Sequence, residues 1–396
     1  MYLFTIFCLC SILLFTYVLY PVIMMLLARI QPRKHTVDLS YTPFFSIILA
    51  AYNEERSLAK CLDSLVALDY PENRIEIIVG SDGSSDLTNQ ILSDYSAKYK
   101  FIHPFIFNER RGKMQVLNDI VPQAHGEYLL FVDADMILDR SALQYHAQHY
   151  TSDEIGGVAG AYVLTSDDGN SGFESENDYH SIEMTLRKNE SAVGSTVGLS
   201  GANYSMRASL WNELPSDYIH DDLYSVFKII SQGKRLIYEP LAIAKEEYVR
   251  SMREEFRRKS RFASRGFATL RYFPDLLAPS AGMSSMMILG HKLFRWITPV
   301  ILICILILTI MGCLIVAAPI FWALGIAELV VIALVLLGVI MNAKNISLPL
   351  VRNLFWFAVM NMAFLSGLIT YFFGKERREW KMSRRATNEV VGGHQH

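Results

Sequence analysis

Two carboxylates separated by one alanine follow an apolar run in the segment YLLFVDADM, residues 128–136. Asp133 and Asp135 would repel each other at the end of a buried strand unless a positive group lay between them. Two oxygen ligands of this kind suit a hard divalent cation, Mg²⁺ or Mn²⁺, which also binds phosphate oxygens. A plainer explanation is that the two acids cap a helix expected near Ser141. We favour the metal site, because both acids stand at a strand end.

Cations are concentrated in the segment NERRGKMQVLN, residues 108–118, where Arg110, Arg111 and Lys113 begin a predicted helix. Positive charge at the first turn opposes the helix dipole, so helix propensity does not explain these residues. A bound anion would explain them, and a solvated basic face is the alternative.

Two further acidic segments are candidates for a polar site. In GSDGSSDLT, residues 80–88, Asp86 is expected to cap the next helix, whereas Asp82 precedes the turn and could accept hydrogen bonds from a nucleoside. In HDDLYSVFKIISQG, residues 220–233, Asp221 and Asp222 open an amphipathic helix. Both could be first-turn acids, but two adjacent acids exceed what a cap needs, so one is a candidate general base.

These polar clusters follow a regular alternation of strands and helices. Continuous apolar runs predict buried strands at 44–51, 75–80, 101–107 and 128–132, with helices between them. Pro104 favours an edge position for the third strand. The pattern predicts a parallel α/β sheet, in which ligands bind beyond the carboxyl ends of the strands.

The rest of the chain is apolar enough for a membrane. Of 396 residues, 52% are hydrophobic, and the net charge of −2 provides no global field for nucleic acid. A spanning helix needs about 20 apolar residues, and uncharged stretches predict four spans. They cover residues 2–27, 295–317, 320–342 and 353–373. Glu328 is the one acid inside a predicted span, and we expect a boundary role for it over a functional one.

The first span is expected to be an uncleaved anchor rather than a signal peptide, because it lacks a basic start and a cleavage site. Arg29, Arg33 and Lys34 follow it, which predicts a cytoplasmic middle region and attachment to the cell membrane. A tail with six basic and two acidic residues at 375–385 also favours the cytoplasm, although three spans would place it outside. Either one stretch re-enters, or residues 276–290 also insert.

Cysteine usage excludes a disulfide framework or a zinc cluster, because Cys61 is the only cysteine outside the predicted spans. The predicted organisation is an anchor at 1–28, an α/β domain at 40–250, a basic juxtamembrane region at 251–292, membrane helices at 293–374 and a basic tail at 375–396. The juxtamembrane segment REEFRRKSRFASRG, residues 253–266, could bind anionic lipid or clamp a diphosphate.

In order, the segments ILAAYNEE, GSDGSSD, RRGK, FVDAD, GANYSMR, HDDLYSVFKIISQGKRLIYEP and RRKSRF resemble those of family 2 glycosyltransferases. The similarity covers residues 45–265 and is greatest for the membrane-integrated branch, which includes cellulose, hyaluronan and poly-N-acetylglucosamine synthases. It implies a GT-A fold of Rossmann-like type, a nucleotide-sugar donor (most often a UDP-sugar), a divalent cation and a polysaccharide or lipid-linked acceptor.

The resemblance also implies residue roles. Tyr52, Glu54 and Asp82 would line the nucleoside pocket, and Lys113 would lie near the phosphates. Asp135, with Asp133, would bind the metal. The acceptor-facing loop would contain Gly201, Ala202 and Asn203. Asp222 would be the catalytic base, with Asp221 as the acid before it.

One motif departs from the processive synthases, whose domains carry Gln-x-x-Arg-Trp near their end. The matching residues here are Arg258, Arg261 and Phe262. A phosphate role for Arg258 and Arg261 remains, whereas the aromatic floor under the acceptor is altered, which leaves processivity and product open.

Two other functions are compatible with the sequence. A nucleotidyltransferase also combines an α/β sheet, carboxylates and a metal, but it would release pyrophosphate from nucleoside triphosphates. A polysaccharide exporter with a non-catalytic soluble domain would depend on Glu328 rather than on Asp222.

Overall fold

The computed structural model describes residues 1–165, 174–215, 219–247, 252–344, 346 and 348–374, so the basic tail at 375–396 lies outside the described residues. The strands are β1 Phe45–Ala51, β2 Ile75–Asp82, β3 Ile102–Phe107, β4 Tyr128–Val132, β5 Met136–Leu138, β6 Ile155–Thr165, β7 Asn203–Arg207 and β8 Arg235–Glu247. The helices are α1 Tyr2–Leu14, α2 Tyr20–Ile30, α3 Leu58–Val66, α4 Thr88–Lys98, α5 Lys113–Ile120, α6 Ala142–Ala147, α7 Glu174–Val193, α8 Asp221–Ser231, α9 Met252–Leu270, α10 Met283–Ile288, α11 Phe294–Met311, α12 Pro319–Ala343 and α13 Pro349–Phe373.

The strands form one mixed sheet in the order β3-β2-β1-β4-β7-β6-β8-β5. β1 pairs in parallel with β2 and β4, and β2 pairs in parallel with β3. β7 is antiparallel to β4 and β6. The predicted parallel half is confirmed, including the edge position of β3. The antiparallel additions bring later parts of the chain to the same edge of the sheet.

Both faces of the parallel half are covered, which explains the continuous apolar runs. Every residue of β1 and β2 is buried. Alternate residues enter different cores, with Ile48 and Ile78 on one face and Ile47 and Ile77 on the other. The helix predicted to begin at the basic segment is short, because α5 ends at Ile120 and a 3₁₀ turn containing Pro122 follows.

Four helices are long and apolar enough to cross a membrane: Tyr2–Ile30, Met283–Val316, Pro319–Ala343 and Pro349–Phe373. They confirm the four predicted spans, except that the second begins at Met283 instead of residue 295. Its 34 residues extend about 50 Å as a helix, beyond a hydrocarbon core of about 30 Å. Part of this helix would therefore lie outside the hydrocarbon core of a membrane.

Glu328 lies well inside α12 and contacts the neighbouring helix α11. Its Oε1 accepts a hydrogen bond of 2.9 Å from Oγ1 of Thr309 on α11. The side chain therefore contributes a polar contact between two candidate spans, and its expected boundary role stays a prediction.

Candidate active site

The carboxyl ends of β1 and β4 border a small cavity in which Lys113 joins two acids. Its Nζ lies 2.8 Å from Oδ1 of Asp133 and 3.2 Å from Oδ2 of Asp221. Gly201 and Tyr204 complete the polar side of this cavity. The two carboxylates raise the pKa of Lys113 well above its ordinary value, although burial opposes them as the largest single effect. Lys113 therefore stays protonated. It supplies the positive group that the two acids of the DAD segment, residues 133–135, require.

The backbone before Lys113 is fixed by Asp82. The two carboxylate oxygens of this buried side chain accept hydrogen bonds from the backbone N–H groups of Arg111 (2.7 Å) and Gly112 (2.8 Å). Gly112 has a φ of +93°, which a side chain would disfavour, and α5 begins at the next residue. Asp82 thus orients the first turn of α5. Its predicted contact with a nucleoside stays a prediction.

Asp133 and Asp135 occupy the turn between β4 and β5. Helix α6 begins only at Ala142, after β5, so the explanation that these acids cap a helix near Ser141 is wrong. Burial raises the pKa of Asp133, as does Asp135, while Lys113 lowers it. The turn therefore concentrates negative charge at a position where a cation would relieve it.

Asp221 faces the same lysine from the start of α8. Burial alone would raise its pKa, but Lys113, His220 and Arg265 together lower it to about 2. The carboxylate is ionised at neutral pH. Since potential ligand atoms of His220, Asp221 and Asp222 lie within 4.8 Å of one another, this group could also hold a metal ion. The sequence analysis assigned metal binding only to the DAD segment.

Asp222 is buried, and contacts with Leu223 and His220 fix the position of its carboxylate. Its Oδ1 accepts a 2.6 Å hydrogen bond from the backbone N–H of Leu223 and contacts Nδ1 of His220. A Cβ atom added at Gly201 would lie 2.8 Å from Oδ2 of Asp222. The glycine therefore permits close approach between the acceptor loop and the candidate base.

Ala202 and Asn203, the other two residues of the predicted acceptor loop, make contacts inside the protein. Ala202 is buried in the core. The side-chain amide of Asn203 donates to the carbonyl oxygens of Ala161 (3.1 Å) and Ala242 (2.8 Å), and its Oδ1 lies 2.9 Å from Nε2 of His146. The Asn203 side chain thus joins β6, β7, β8 and α6. Its position does not support the predicted acceptor contact.

Tyr52 and Glu54 follow the end of β1, as predicted for the nucleoside pocket. The guanidinium of Arg110 lies 3.9 Å from the centroid of the Tyr52 ring, which links this loop to the basic segment before α5. Glu54 is buried, and one of its carboxylate oxygens accepts a 2.5 Å hydrogen bond from Ser57. The contact between Tyr52 and Arg110 encloses the region beyond β1 with a cation and an aromatic face.

Helix α9 packs one face against the start of α8. The ring of Phe262 meets that of His220 edge to face at 4.8 Å, and Oγ1 of Thr269 accepts a 3.0 Å hydrogen bond from the His220 backbone N–H. Arg265 lies between these two contacts at helical spacing and influences Asp221. Arg265 belongs to no recognised motif, although the spacing of residues 262, 265 and 269 indicates one helix face.

Arg258 and Arg261, the two arginines of the motif that departs from the processive synthases, are both exposed on α9. Arg258 forms two 2.9 Å hydrogen bonds with the carboxylate of Glu255. The predicted phosphate role of Arg258 and Arg261 stays a prediction.

Part of this chain is similar in sequence to known glycosyltransferases. Residues 46–214 match the sequence model of Glycosyl transferase family 2. Poly-beta-1,6-N-acetyl-D-glucosamine synthase of Staphylococcus aureus (strain COL) is 28% identical over 218 residues, which cover 53% of this chain and 52% of the relative. The enzyme of the same name from a Staphylococcus epidermidis strain is 30% identical over 203 residues, covering 50% and 48%. This chain thus spans about half the length of the curated relatives it matches.

Solved structures support the fold independently. A mannosyltransferase from Pyrobaculum calidifontis, in complex with GDP-Man and Mn²⁺, superposes with a TM-score of 0.73 at 19% identity. The match covers 95% of this chain and all of that one, and it shows that the two chains share a GT-A fold. Residues 46–214 are therefore similar to family 2 glycosyl transferase domains, and helices long enough to cross a membrane lie on both sides of them.

Proposed function

We propose that this chain is a membrane-bound inverting glycosyltransferase. It would move a sugar from a nucleotide-sugar donor, most plainly a UDP-sugar, to a hydroxyl of a growing polysaccharide or a lipid-linked glycan. The observation that carries the proposal is the position of Lys113 between Asp133 and Asp221, at the carboxyl edge of a sheet that matches the family. This arrangement gathers one cation and several acids where a donor diphosphate and an acceptor hydroxyl could meet.

The acids of the DAD turn fit a divalent cation. Asp133 and Asp135 offer hard oxygen ligands, and burial and mutual repulsion, which raise the pKa of Asp133, make binding of a cation favourable. We assign Mg²⁺ or Mn²⁺ to them, with Asp135 as the direct ligand. When bound, the cation would neutralise charge on the departing diphosphate.

Side chains around the cavity would bind the donor and activate the acceptor hydroxyl. Lys113 would hold the diphosphate by its ammonium, and Tyr52 with Arg110 would close over the nucleoside. Asp222 would accept the proton of the acceptor hydroxyl as its oxygen attacks the anomeric carbon opposite the leaving nucleoside diphosphate. His220 and the N–H of Leu223 orient the Asp222 carboxylate. Attack from the opposite face inverts the anomeric centre.

The similarity to poly-beta-1,6-N-acetyl-D-glucosamine synthases supports an N-acetylhexosamine donor, although a hexose is compatible with the same site. The basic residues after the first span support a catalytic domain on the cytoplasmic face. Phe262 beside His220 supplies an aromatic surface on the acceptor side, where the processive synthases carry Trp.

The test measures nucleoside diphosphate release by the purified full chain with a panel of UDP- and GDP-sugars, with Mg²⁺ or Mn²⁺. Product sizing in the same assay separates polymerisation from transfer of one sugar. We expect release from at least one UDP-sugar, retained activity in Glu328→Gln and loss in Asp222→Asn. Pyrophosphate release from nucleoside triphosphates would indicate a nucleotidyltransferase, and dependence on Glu328 alone would indicate an exporter.

A further inference from the structure

A buried ionic cluster joins α7 to the first two candidate spans. Glu183 and Glu190 of α7 face the helix Met283–Val316, where His291 bridges them through Nε2 (2.8 Å) and Nδ1 (2.7 Å). Tyr20 of the first span donates its hydroxyl to Glu190. The cluster fixes the sugar-transferase domain to the membrane helices, but it also contains more positive than negative groups.

Lys292 is the lysine of this cluster, and the described ion pairs of Glu183 and Glu190 do not include it. Oε1 of Glu183 is engaged by Arg187 (3.2 Å) and His291, and its Oε2 by Arg295 (3.1 Å). Glu190 is engaged by Tyr20, His291 and Thr196. Three lysine or arginine side chains thus face two carboxylates.

The ammonium of Lys292 forms no ion pair or hydrogen bond with any residue of the described ranges, although the residue is only 6% exposed. The charges of Glu183 and Glu190 act on Lys292 from beyond ion-pair distance, and its ammonium lies over the Phe262 ring. A buried ammonium without a direct counter-ion is costly, so this position favours binding of a further anion.

The position of Lys292 connects this missing anion to the active site. Its Nζ lies 5.4 Å from the centroid of the Phe262 ring, and Phe262 in turn packs against His220 beside Asp222. A molecule with its reacting hydroxyl at Asp222 would pass Phe262 to reach Lys292. The anion therefore belongs on the acceptor side of the site.

The depth of Lys292 indicates which anion this is. It precedes Trp296, where the uncharged stretch of the second span begins, by about one helical turn. Lysine and arginine at that level lie at the boundary between hydrocarbon and headgroups. A phosphate attached to a lipid tail lies at the same level, whereas a soluble acidic sugar does not require a site between α9 and a span.

We propose that Lys292 binds the phosphate of a membrane-lipid acceptor, and that this contact places the acceptor hydroxyl beside Asp222. The proposal rests on the proposed glycosyl transfer and specifies its acceptor. It assigns to Lys292 a binding role outside the nucleotide-sugar cradle formed by Lys113 and the DAD turn.

The test measures binding without donor, using the full chain in detergent with dodecyl phosphate as the probe. Dodecanol, inorganic phosphate and glucuronate serve as comparison ligands. We expect dodecyl phosphate to bind the native chain, with at least tenfold weaker binding to Lys292→Met and near-native binding to Lys292→Arg. Arg257→Met, which removes an exposed cation of α9, is the matched control and should bind as the native chain does.

Several outcomes would overturn the proposal. These are equal binding to Lys292→Met, binding of dodecanol as tight as that of its phosphate, or a preference for inorganic phosphate or glucuronate. If Lys292→Met does not fold, as judged by its melting curve, Lys292→Gln takes its place under the same criteria. Because no donor is present, binding without any sugar transfer in the companion assay would refute the proposed function and leave the phosphate site standing.

Discussion

The two halves of the candidate site are built in different ways. In the parallel half, Lys113 and Asp133 stand where a helix begins and a strand ends, and the carboxylate of Asp82 fixes the backbone between them. In the helical half, His220 and Phe262 are brought together by packing between α8, α9 and a membrane helix. The first half can be assembled within one α/β unit, whereas the second depends on the membrane region. Substitutions in the first should change donor binding, and those in the second should change transfer and acceptor use.

The largest effect is expected from Asp222→Asn in the helical half. The amide cannot accept the acceptor proton, so turnover should fall by about 10²–10⁴-fold, with donor KM changed little. Rates of nucleoside diphosphate release across donor concentrations measure both quantities. Asp94→Asn, an exposed acid on α4, is the control and should retain native rates. Full activity in Asp222→Asn would remove the base assignment.

Lys113→Met should have the next largest effect. In contrast to Asp222→Asn, it should weaken donor binding. Without the ammonium, Asp133 and Asp221 face each other and the diphosphate loses its nearest cation. We expect donor affinity to fall by about 10²-fold, by analogy with removal of one charged stabilising group. Nucleoside diphosphate titration measures it, and Lys100→Met at an exposed position is the control. Native affinity in Lys113→Met would contradict the division between the halves.

The parallel half was largely predictable from sequence because its placement follows from chain direction. Apolar runs identified β1 to β4, and polar residues after parallel strands necessarily gather at one edge. The sequence did not show that Asp82 would bond to the backbone of Arg111 and Gly112, since loop conformations depend on contacts between distant segments. The metal assignment for Asp133 and Asp135 remains a prediction.

The helical half was less predictable, because helix faces are chosen by tertiary packing. Order along the chain points to Arg258 and Arg261, whose phosphate role stays a prediction, whereas the influence of Arg265 on Asp221 follows from the packing of α9 against α8. Asn203 was assigned to the acceptor from its loop, yet the antiparallel strand pairing buries its amide. Strands β5 to β8 and the extension of the second span to Met283 also had no clear periodic signal.

Arg265→Met and Arg261→Met compare the packed arginine with the motif arginine. If Arg265 contributes a charge-assisted hydrogen bond to the reacting complex, its loss should reduce kcat/KM by roughly 10- to 100-fold, from about 1.5–3 kcal/mol. Arg261→Met should reduce it less than threefold, because the side chain is exposed. The reverse order would restore the motif assignment and would show that α9 rotates when substrate binds.

Gly201→Ala tests how tightly the helical half is assembled. The added Cβ would lie 2.8 Å from Oδ2 of Asp222, so the carboxylate or the loop must move. We expect kcat to fall about tenfold, since small displacements of reacting groups are costly, with donor KM unchanged. Gly194→Ala, whose nearest atom would be 3.9 Å away, is the control. An unchanged kcat would indicate that Asp222 and the acceptor loop are not coupled.

The smallest effect on turnover is expected at His146 of α6, which is buried against β7. Its Nε2 meets Oδ1 of Asn203 and its Nδ1 meets Oγ of Ser205, both at 2.9 Å. Burial lowers the pKa of His146 to about 4, whereas the unfolded chain would have the ordinary value of about 6.5.

Between these pH values only the unfolded chain binds the extra proton. Stability is therefore complete above about pH 6.5 and should fall by about 1.4 kcal/mol for each pH unit below it, until about pH 4. Melting temperatures of the full chain across this range measure the slope, and His146→Gln should reduce it while transfer at pH 7.5 continues. His103→Gln, on the exposed surface of β3, should leave the slope unchanged. An identical slope in His146→Gln would mean that another group, such as His35 with its similarly lowered pKa, dominates acid destabilisation.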